Sequence, residues 1–264
     1  MGSIGDDDNG KLLVEIMDKY KVKTEYYINK QEPTGSCVVL LKENKRCLLP
    51  LLGAATGFPT EHLKSHWKVV EDASLLYSTA YFISTNYEAL KLVYEHALET
   101  KKIFCFNLAA TFWIKNYSKE ILEILPYTDV VIGNIEEALE LAKVKNYETT
   151  DLNEIVKKIC MEEKKNPERP RTVVITRGNL GTTAAVYDFA KKEYSSQVIT
   201  PKPIESKDIV DTNGAGDSFA GGLLVGIVLG KDLGTSLHYA NYLAWECIQQ
   251  VGCVFPEKCS ISLD

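Results

Sequence analysis

From residue 74 onward, short β-rich apolar runs alternate with segments of helical periodicity, and few folds accept that pattern. The runs are Ser74–Thr79 (SLLYST), Lys102–Leu108 (KIFCFNL), Asp129–Gly133 (DVVIG) and Arg171–Thr176 (RTVVIT). A strand that reads as a near-continuous apolar stretch is buried on both faces, and a helix between two such strands makes the crossover that parallel pairing requires. An α/β core is therefore expected, with a mostly parallel central sheet and helices on both of its faces. Residues 151–164 show the helical half of the pattern. Leu152, Ile155, Val156, Ile159 and Cys160 fall at helical spacing, and Asp151 with Glu154 resembles a capping box. Lys164–Pro170 (KKNPERP) is charged and carries two prolines, and it reads as a surface loop before the next strand.

Ahead of this core, residues 36–41 (SCVVLL) and 47–52 (CLLPLL) are apolar runs separated by the polar stretch Lys42–Arg46, as in a hairpin, and Pro50 marks an edge strand. The last third reads as two long apolar helices, 214–230 and 232–250, with Gly230 as the stop between them. At 264 residues and 45% hydrophobic content the chain can fill a core of this kind. A formal net charge of -6 argues against nucleic acid as a partner, since that affinity rests on neutralising phosphates with Lys and Arg. The seven cysteines are odd in number and contain no C-x-x-C pair, so reduced, buried thiols are expected, not a zinc or redox site. No apolar run approaches membrane length, and Met1–Asn9 is acidic where a signal peptide is basic and then apolar. A cytoplasmic protein with no membrane partner is expected, with the nucleus also open to it.

The stretch that carries chemistry is Ile209–Leu224, IVDTNGAGDSFAGGLL, in which an apolar strand end meets a glycine turn and then an apolar helix. Backbone N–H groups around Gly214, Ala215 and Gly216 lie at the start of that helix and make an anion site reinforced by the helix dipole. Glycine at 214 and 216 permits unusual φ values and close approach of a phosphate. Asp217, in the first helical turn, is favoured as a carboxylate there and can take a proton from a substrate hydroxyl. Taken alone, Asp217 is equally a helix-capping acid. Ala220, Gly221 and Gly222 add small residues one turn on, which suggests close packing against the sheet or a nucleotide. Two other phosphate motifs fit worse. Gly226–Asp232 has the wrong spacing for a Walker loop and no hydroxyl residue, and Gly214–Phe219 lacks the third glycine of a dinucleotide fingerprint.

With Asp211–Gly222 on the page, the sequence resembles the ribokinase-like (pfkB) carbohydrate and nucleoside kinases, whose C-terminal signature is similar to D-T-x-G-A-G-D followed by small residues. The resemblance implies in-line transfer of the ATP γ-phosphate to a primary hydroxyl, with Asp217 as general base and Gly214, Ala215 and Gly216 as the anion hole. Gly133–Glu137 (GNIEE) is similar to the family's N-x-x-E element, in which Glu137 organises Mg²⁺ through water; alone, Asn134 is also a good helix N-cap. Thr176 and Gly178 resemble the nucleotide-side T-x-G turn, and Asn213, His238 and Asn241 fall where the family binds ATP. Pro33–Cys37 (PTGSC), Phe106–Phe112 (FNLAATF), Gly133–Ala138 (GNIEEA) and Val251–Lys258 (VGCVFPEK) point, within the family, to kinases that take adenosine and ATP. In such kinases the hairpin is a lid over the sugar, so Leu48, Pro50 and Leu52 would line an apolar face against the purine. Phe82 and Phe112 resemble aromatic purine contacts, and Arg46 matches a lid arginine that reaches the transferring phosphoryl group. Each of these apolar residues is also explained by ordinary core packing.

The expected organisation is one ribokinase-like domain over 1–264, with 20–56 part of a small β lid and 57–264 the α/β core that holds ATP, acting as a monomer. The resemblance further implies front strands with an Asp for the ribose hydroxyls and a Gly-Gly segment with an Asn. Neither is in these residues, and Met1–Gly10 is similar to the internal stretch that follows them. The sequence is thus expected to begin partway through the fold and to be a poor catalyst as written. Two other readings stay open: a related sugar kinase, against which the apolar lid and purine face argue, and a non-catalytic nucleotide-binding or regulatory protein.

Overall fold

The computed structural model describes residues 1–42 and 45–252, with side chains from 41 to 46 left aside. The chain opens with β1 (Gly2–Gly5), α1 (Asp8–Lys19) and β2 (Tyr26–Asn29), the two strands forming a parallel pair. The Asp7 carboxylate accepts from Gly10 N–H at 2.8 Å, capping α1, and from the Thr34 hydroxyl and N–H at 2.6 and 2.7 Å, fixing the loop that follows β2. Those hydrogen bonds, Thr34 foremost, hold the Asp7 carboxyl below the ordinary range.

The expected hairpin forms as β3 (Ser36–Lys42) and β4 (Lys45–Leu51), an antiparallel two-stranded ribbon that pairs Pro50 with Cys37. Both strands are edges, which is where a strand tolerates proline. The ribbon's Cys37 and Cys47 are exposed, which corrects the expectation of buried thiols; Cys105, Cys160 and Cys247 are buried.

The core begins with α2 (Thr60–Ser65) and α3 (Trp67–Asp72) and then alternates strand and helix: β5 (Leu75–Thr79), α4 (Tyr81–Glu99), β6 (Ile103–Asn107), α5 (Thr111–Asn116), α6 (Ser118–Ile124), β7 (Val130–Asn134), α7 (Ile135–Val144), α8 (Leu152–Met161) and β8 (Arg171–Thr176). After them come β9 (Thr182–Asp188), β10 (Glu193–Ile199), α9 (Ala215–Val228) and α10 (Leu233–Cys247). The sheet order is β10-β9-β8-β7-β6-β5, with β5 to β8 parallel and β9 and β10 antiparallel. Central strands are buried on both faces as their composition requires: Phe104, Cys105, Phe106, Val131, Val173, Val174 and Ile175 have no exposed surface. One face packs on α4 to α8 through Leu90, Tyr94, Ile121, Leu141 and Ile155. The other packs on α9 and α10 through Phe219, Ala220, Leu223, Leu237 and Ala240. The result is the three-layer, ribokinase-like arrangement of helices on both faces of a mostly parallel sheet, with a small β ribbon beside it.

Two local expectations change. The Asp151 side chain caps α8 by accepting from Glu154 N–H at 2.9 Å, but the Glu154 carboxylate accepts from the Thr149 hydroxyl at 2.5 Å and so does not close a capping box. Lys164, expected in a solvated loop, is buried: its ammonium donates to Asp129 at 2.7 Å and to Asn166 O at 2.7 Å. Beside it the fully buried Arg171 donates to the carbonyls of Leu125, Thr128, Ile159, Glu162 and Glu163 and staples the ends of α6 and α8 to the sheet. A buried guanidinium is tolerable because its N–H donors are met by acceptors.

Candidate active site

Four adjacent parallel strands end in polar residues. Register places Thr79 opposite Asn107 and Asn134 opposite Thr176, so a polar row runs along the carboxyl ends of β5 to β8. Open α/β sheets bind ligands beyond that edge, where the loops leave the strands.

The loop that enters α9 is built there. Buried Asp211 accepts through Oδ1 from Asn213 N–H at 2.8 Å and from the Asn213 side-chain amide at 2.7 Å, and through Oδ2 from Gly252 N–H at 3.1 Å. Val210 N–H donates to Ile248 O at 2.8 Å, tying the same loop to the end of α10. So constrained, Gly214 takes φ +76° as the N-cap of α9, a conformation that excludes most side chains. Ser218 N–H donates to Gly214 O at 2.8 Å and starts the helical ladder, while Ala215 N–H makes only a long 3.4 Å contact to Thr212 O. Gly214 N–H and Gly216 N–H have no hydrogen-bond partner among the described residues. A Cβ on Gly216 would meet nothing within 4 Å, so the protein's own packing does not require glycine there and the backbone stands open to a ligand. Gly222 differs: a Cβ would lie 2.6 Å from Tyr239 O, so it serves the packing of α9 on α10 and not the sheet or a nucleotide, a correction to the sequence reading.

A cavity of about 550 Å³ opens beside this helix start. It brings together Thr176 and Gly178 from the end of β8, Ala215 and Gly216 from α9, and Asn241 from α10. Thr200–Ile204, Phe219 and Trp245 also line it, and sequence reasoning did not single them out. Two expected residues do not join them. Asn213 gives its amide to Asp211, as above. His238 is exposed on α10 and outside the cavity wall, because the cavity-facing stripe of that apolar helix runs through Asn241, Ala244, Trp245 and Ile248 instead.

Asp217 lies in the first turn of α9, exposed, next to Gly216 but off the cavity wall. Its charge reaches across to Tyr77 on β5, whose phenol is held above its ordinary range by partial loss of water first and by Asp217 in addition, although the residue as a whole is 37% exposed. Asn107 donates to that phenol oxygen at 3.1 Å. Tyr77 and Asn107 are further candidate site residues, brought together because the sheet sets β5 and β6 side by side. Tyr77 also borders a second, mostly apolar cavity of about 400 Å³ with Phe58, Leu76, Thr79 and Phe82. Ala215 and Gly216 at the start of α9 thus border the first cavity, while Tyr77, which feels the charge of Asp217, borders the second.

Glu137 completes a capping box on α7: it accepts from Asn134 N–H at 3.0 Å and from the Asn134 amide at 2.7 Å, while its own N–H donates to Asn134 Oδ1 at 2.9 Å. Burial pushes its carboxyl up to about 7. Each carboxylate oxygen keeps a lone pair for a further donor. Among the described residues no group of three or more His, Cys, Asp or Glu side chains could cage a metal ion. A magnesium ion bound mainly through nucleotide phosphates and water needs no such cage.

The candidate purine residues are dispersed. Phe82 packs edge-on to Phe58 with centroids 5.4 Å apart and faces the second cavity. Leu48, Pro50, Leu52 and Phe112 are exposed and line neither cavity. The Arg46 side chain and the stretch from Cys253 through Lys258 lie outside the described residues. No described helix is long and apolar enough to cross a membrane.

Comparison with known proteins agrees with this geometry. The model of the pfkB family of carbohydrate kinases matches residues 1–259. Adenosine kinase 1 of Arabidopsis thaliana is 36% identical over 98% of this chain and 74% of its own length, and the adenosine kinase of Schizosaccharomyces pombe is 32% identical over 97% and 74%. Among solved structures, Anopheles gambiae adenosine kinase in complex with P1,P4-di(adenosine-5) tetraphosphate superposes with a TM-score of 0.89 at 32% identity, covering 97% of this chain and 76% of that one. Schistosoma mansoni adenosine kinase in complex with 2-fluoroadenosine gives 0.87 at 32% identity, covering 97% and 74%.

Proposed function

We propose that this chain, which belongs to the pfkB family of carbohydrate kinases, phosphorylates adenosine at its 5'-hydroxyl with ATP and yields AMP. The observation that carries the proposal is the open helix start at Gly214–Gly216, with Asp217 beside it, bordering the larger cavity at the carboxyl end of the sheet. ATP occupies the larger cavity, its phosphates reaching the N–H groups of Gly214 and Gly216, unpaired among the described residues, past Thr176 and Gly178. Adenosine approaches from the β5 side, with Phe82 against its purine. Asp217 accepts the proton of the attacking hydroxyl as the γ-phosphoryl group moves in line. Phosphoryl transfer needs positioning and charge stabilisation more than covalent chemistry, and helix-start donors supply both. Glu137 would hold a Mg²⁺ ion through water, and the ion would supply neutralisation of the charge that develops on the phosphates.

Competition between acceptors tests the assignment. Purified protein is given ATP and Mg²⁺ with adenosine, ribose or both, and the products are resolved by chromatography. AMP as the main product, undiminished by excess ribose, is expected. Preferential sugar phosphate would make the chain a sugar kinase of the same family, and ATP binding without either product would make it a nucleotide-binding protein.

A further inference from the structure

The larger cavity holds a pair of residues that the transfer chemistry leaves unused. Trp245 lies one helical turn beyond Asn241 on α10, and both border the cavity. Its indole Nε1 is buried and finds no hydrogen-bond partner among the described residues. Over the ring stands Lys202, its ammonium 3.5 Å from the ring centroid. Lys202 sits between Pro201 and Pro203 in the turn after β10. Proline fixes its own φ and biases the residue before it toward extended backbone, so this segment is stiff and fixes where the Lys202 side chain starts, while its four-carbon stem stays free to swing off the ring.

A flat indole face, an unused in-plane donor and a cation on the ring together describe a platform for an aromatic ligand. Bases stack on aromatic side chains, and a cation over an indole is attracted by the same face that a base would cover. Both cannot occupy that face at once.

We propose that Trp245 is the stacking platform for the base of the donor nucleotide, and that Lys202 is a place-holder that the incoming base displaces. This rests on the larger cavity being the ATP site. Trp245 then sets affinity for the base and not for the phosphates, while Lys202 lowers that affinity by covering the platform when the site is empty.

The test is equilibrium binding by calorimetry of two probes, ATP and inorganic tripolyphosphate, to the full chain and to its Trp245→Ala, Trp245→Phe and Lys202→Ala variants. Trp245→Ala should weaken ATP by about ten- to a hundredfold, the span of a lost base stack, and leave tripolyphosphate unchanged. Trp245→Phe should restore most of the ATP affinity, which a merely structural tryptophan would have no reason to do. Lys202→Ala should tighten ATP by about two- to fivefold, the inverse of a cation–ring contact. Equal weakening of both probes by Trp245→Ala, or ATP affinity indifferent to it, would overturn the platform. Weaker tripolyphosphate binding in Lys202→Ala would make Lys202 a phosphate ligand and overturn its role as place-holder. A chain that binds ATP through Trp245 yet phosphorylates no adenosine would refute the kinase reading and leave this one standing. A chain that makes AMP with ATP binding indifferent to Trp245 would do the reverse.

Discussion

The central sheet and the β3–β4 ribbon are both made of apolar strands, yet they differ in what fixes them. In the sheet, Phe104, Phe106, Val131 and Val173 have no exposed surface and pack toward the helices of one face, while Cys105 and Val174, equally buried, pack toward those of the other. In the ribbon, Val38, Leu40, Leu49 and Leu51 are each more than half exposed. Cross-strand pairing alone gives the ribbon its shape, and a lone two-stranded ribbon is marginal in water. The strand ends that carry Asn107, Asn134 and Thr176 therefore rest on a rigid support, as a site for phosphoryl transfer needs, whereas the ribbon can move without disturbing them. This is why the proposed nucleotide half of the site is set by the described fold, while the candidate lid residues Leu48, Pro50 and Leu52 meet no cavity.

Arg171→Met sharpens that contrast most. It leaves buried carbonyls at the ends of α6 and α8 without their donor, and unfolding in urea should show a loss of about 3–5 kcal/mol, as for a broken buried charged group. A loss below about 1 kcal/mol would mean that this end of the core repacks as freely as a surface.

Glu137 gives a pH signature confined to the core. Its folded-state value of about 7 lies above the ordinary 4.5, so between these the folded protein keeps a proton that the unfolded chain has released. The stabilisation is whole below the lower value and is lost as pH rises through the upper one. Urea unfolding across that window should show stability falling by on the order of 3 kcal/mol, and Glu137→Gln should flatten the slope. An unchanged slope in the variant would place the titration elsewhere.

Leu49→Ser in the ribbon should be the smallest effect, within about 0.5 kcal/mol, because the side chain is 56% exposed. A loss several times larger would show that the ribbon is packed like the core.

What the sequence disclosed follows the same division. The apolar runs of β5 to β8 and the Gly214–Asp217 turn were readable because their signals are local: burial on both faces, glycine where φ is positive, an acid in a first helical turn. Residues whose meaning depends on distant partners were not. Lys164 looked solvated because its partner Asp129 is 35 positions away. Trp245 looked like one more apolar position in a helix, and its significance comes from Lys202 and the open cavity. His238 and Asn241 lie three residues apart on α10, and apolar residues on several sides of that helix left the phase of its cavity-facing stripe undetermined until packing set it.

The central claim, that Asp217 beside the open start of α9 is the base for phosphoryl transfer, is met most directly by comparing AMP formation from adenosine, ATP and Mg²⁺ in the chain and in Asp217→Asn, with ATP binding measured in both. The account predicts a fall in kcat of about a thousandfold with ATP affinity held within a few-fold, as for loss of a positioned base. AMP formation by Asp217→Asn at a rate comparable to that of the unaltered chain would contradict it.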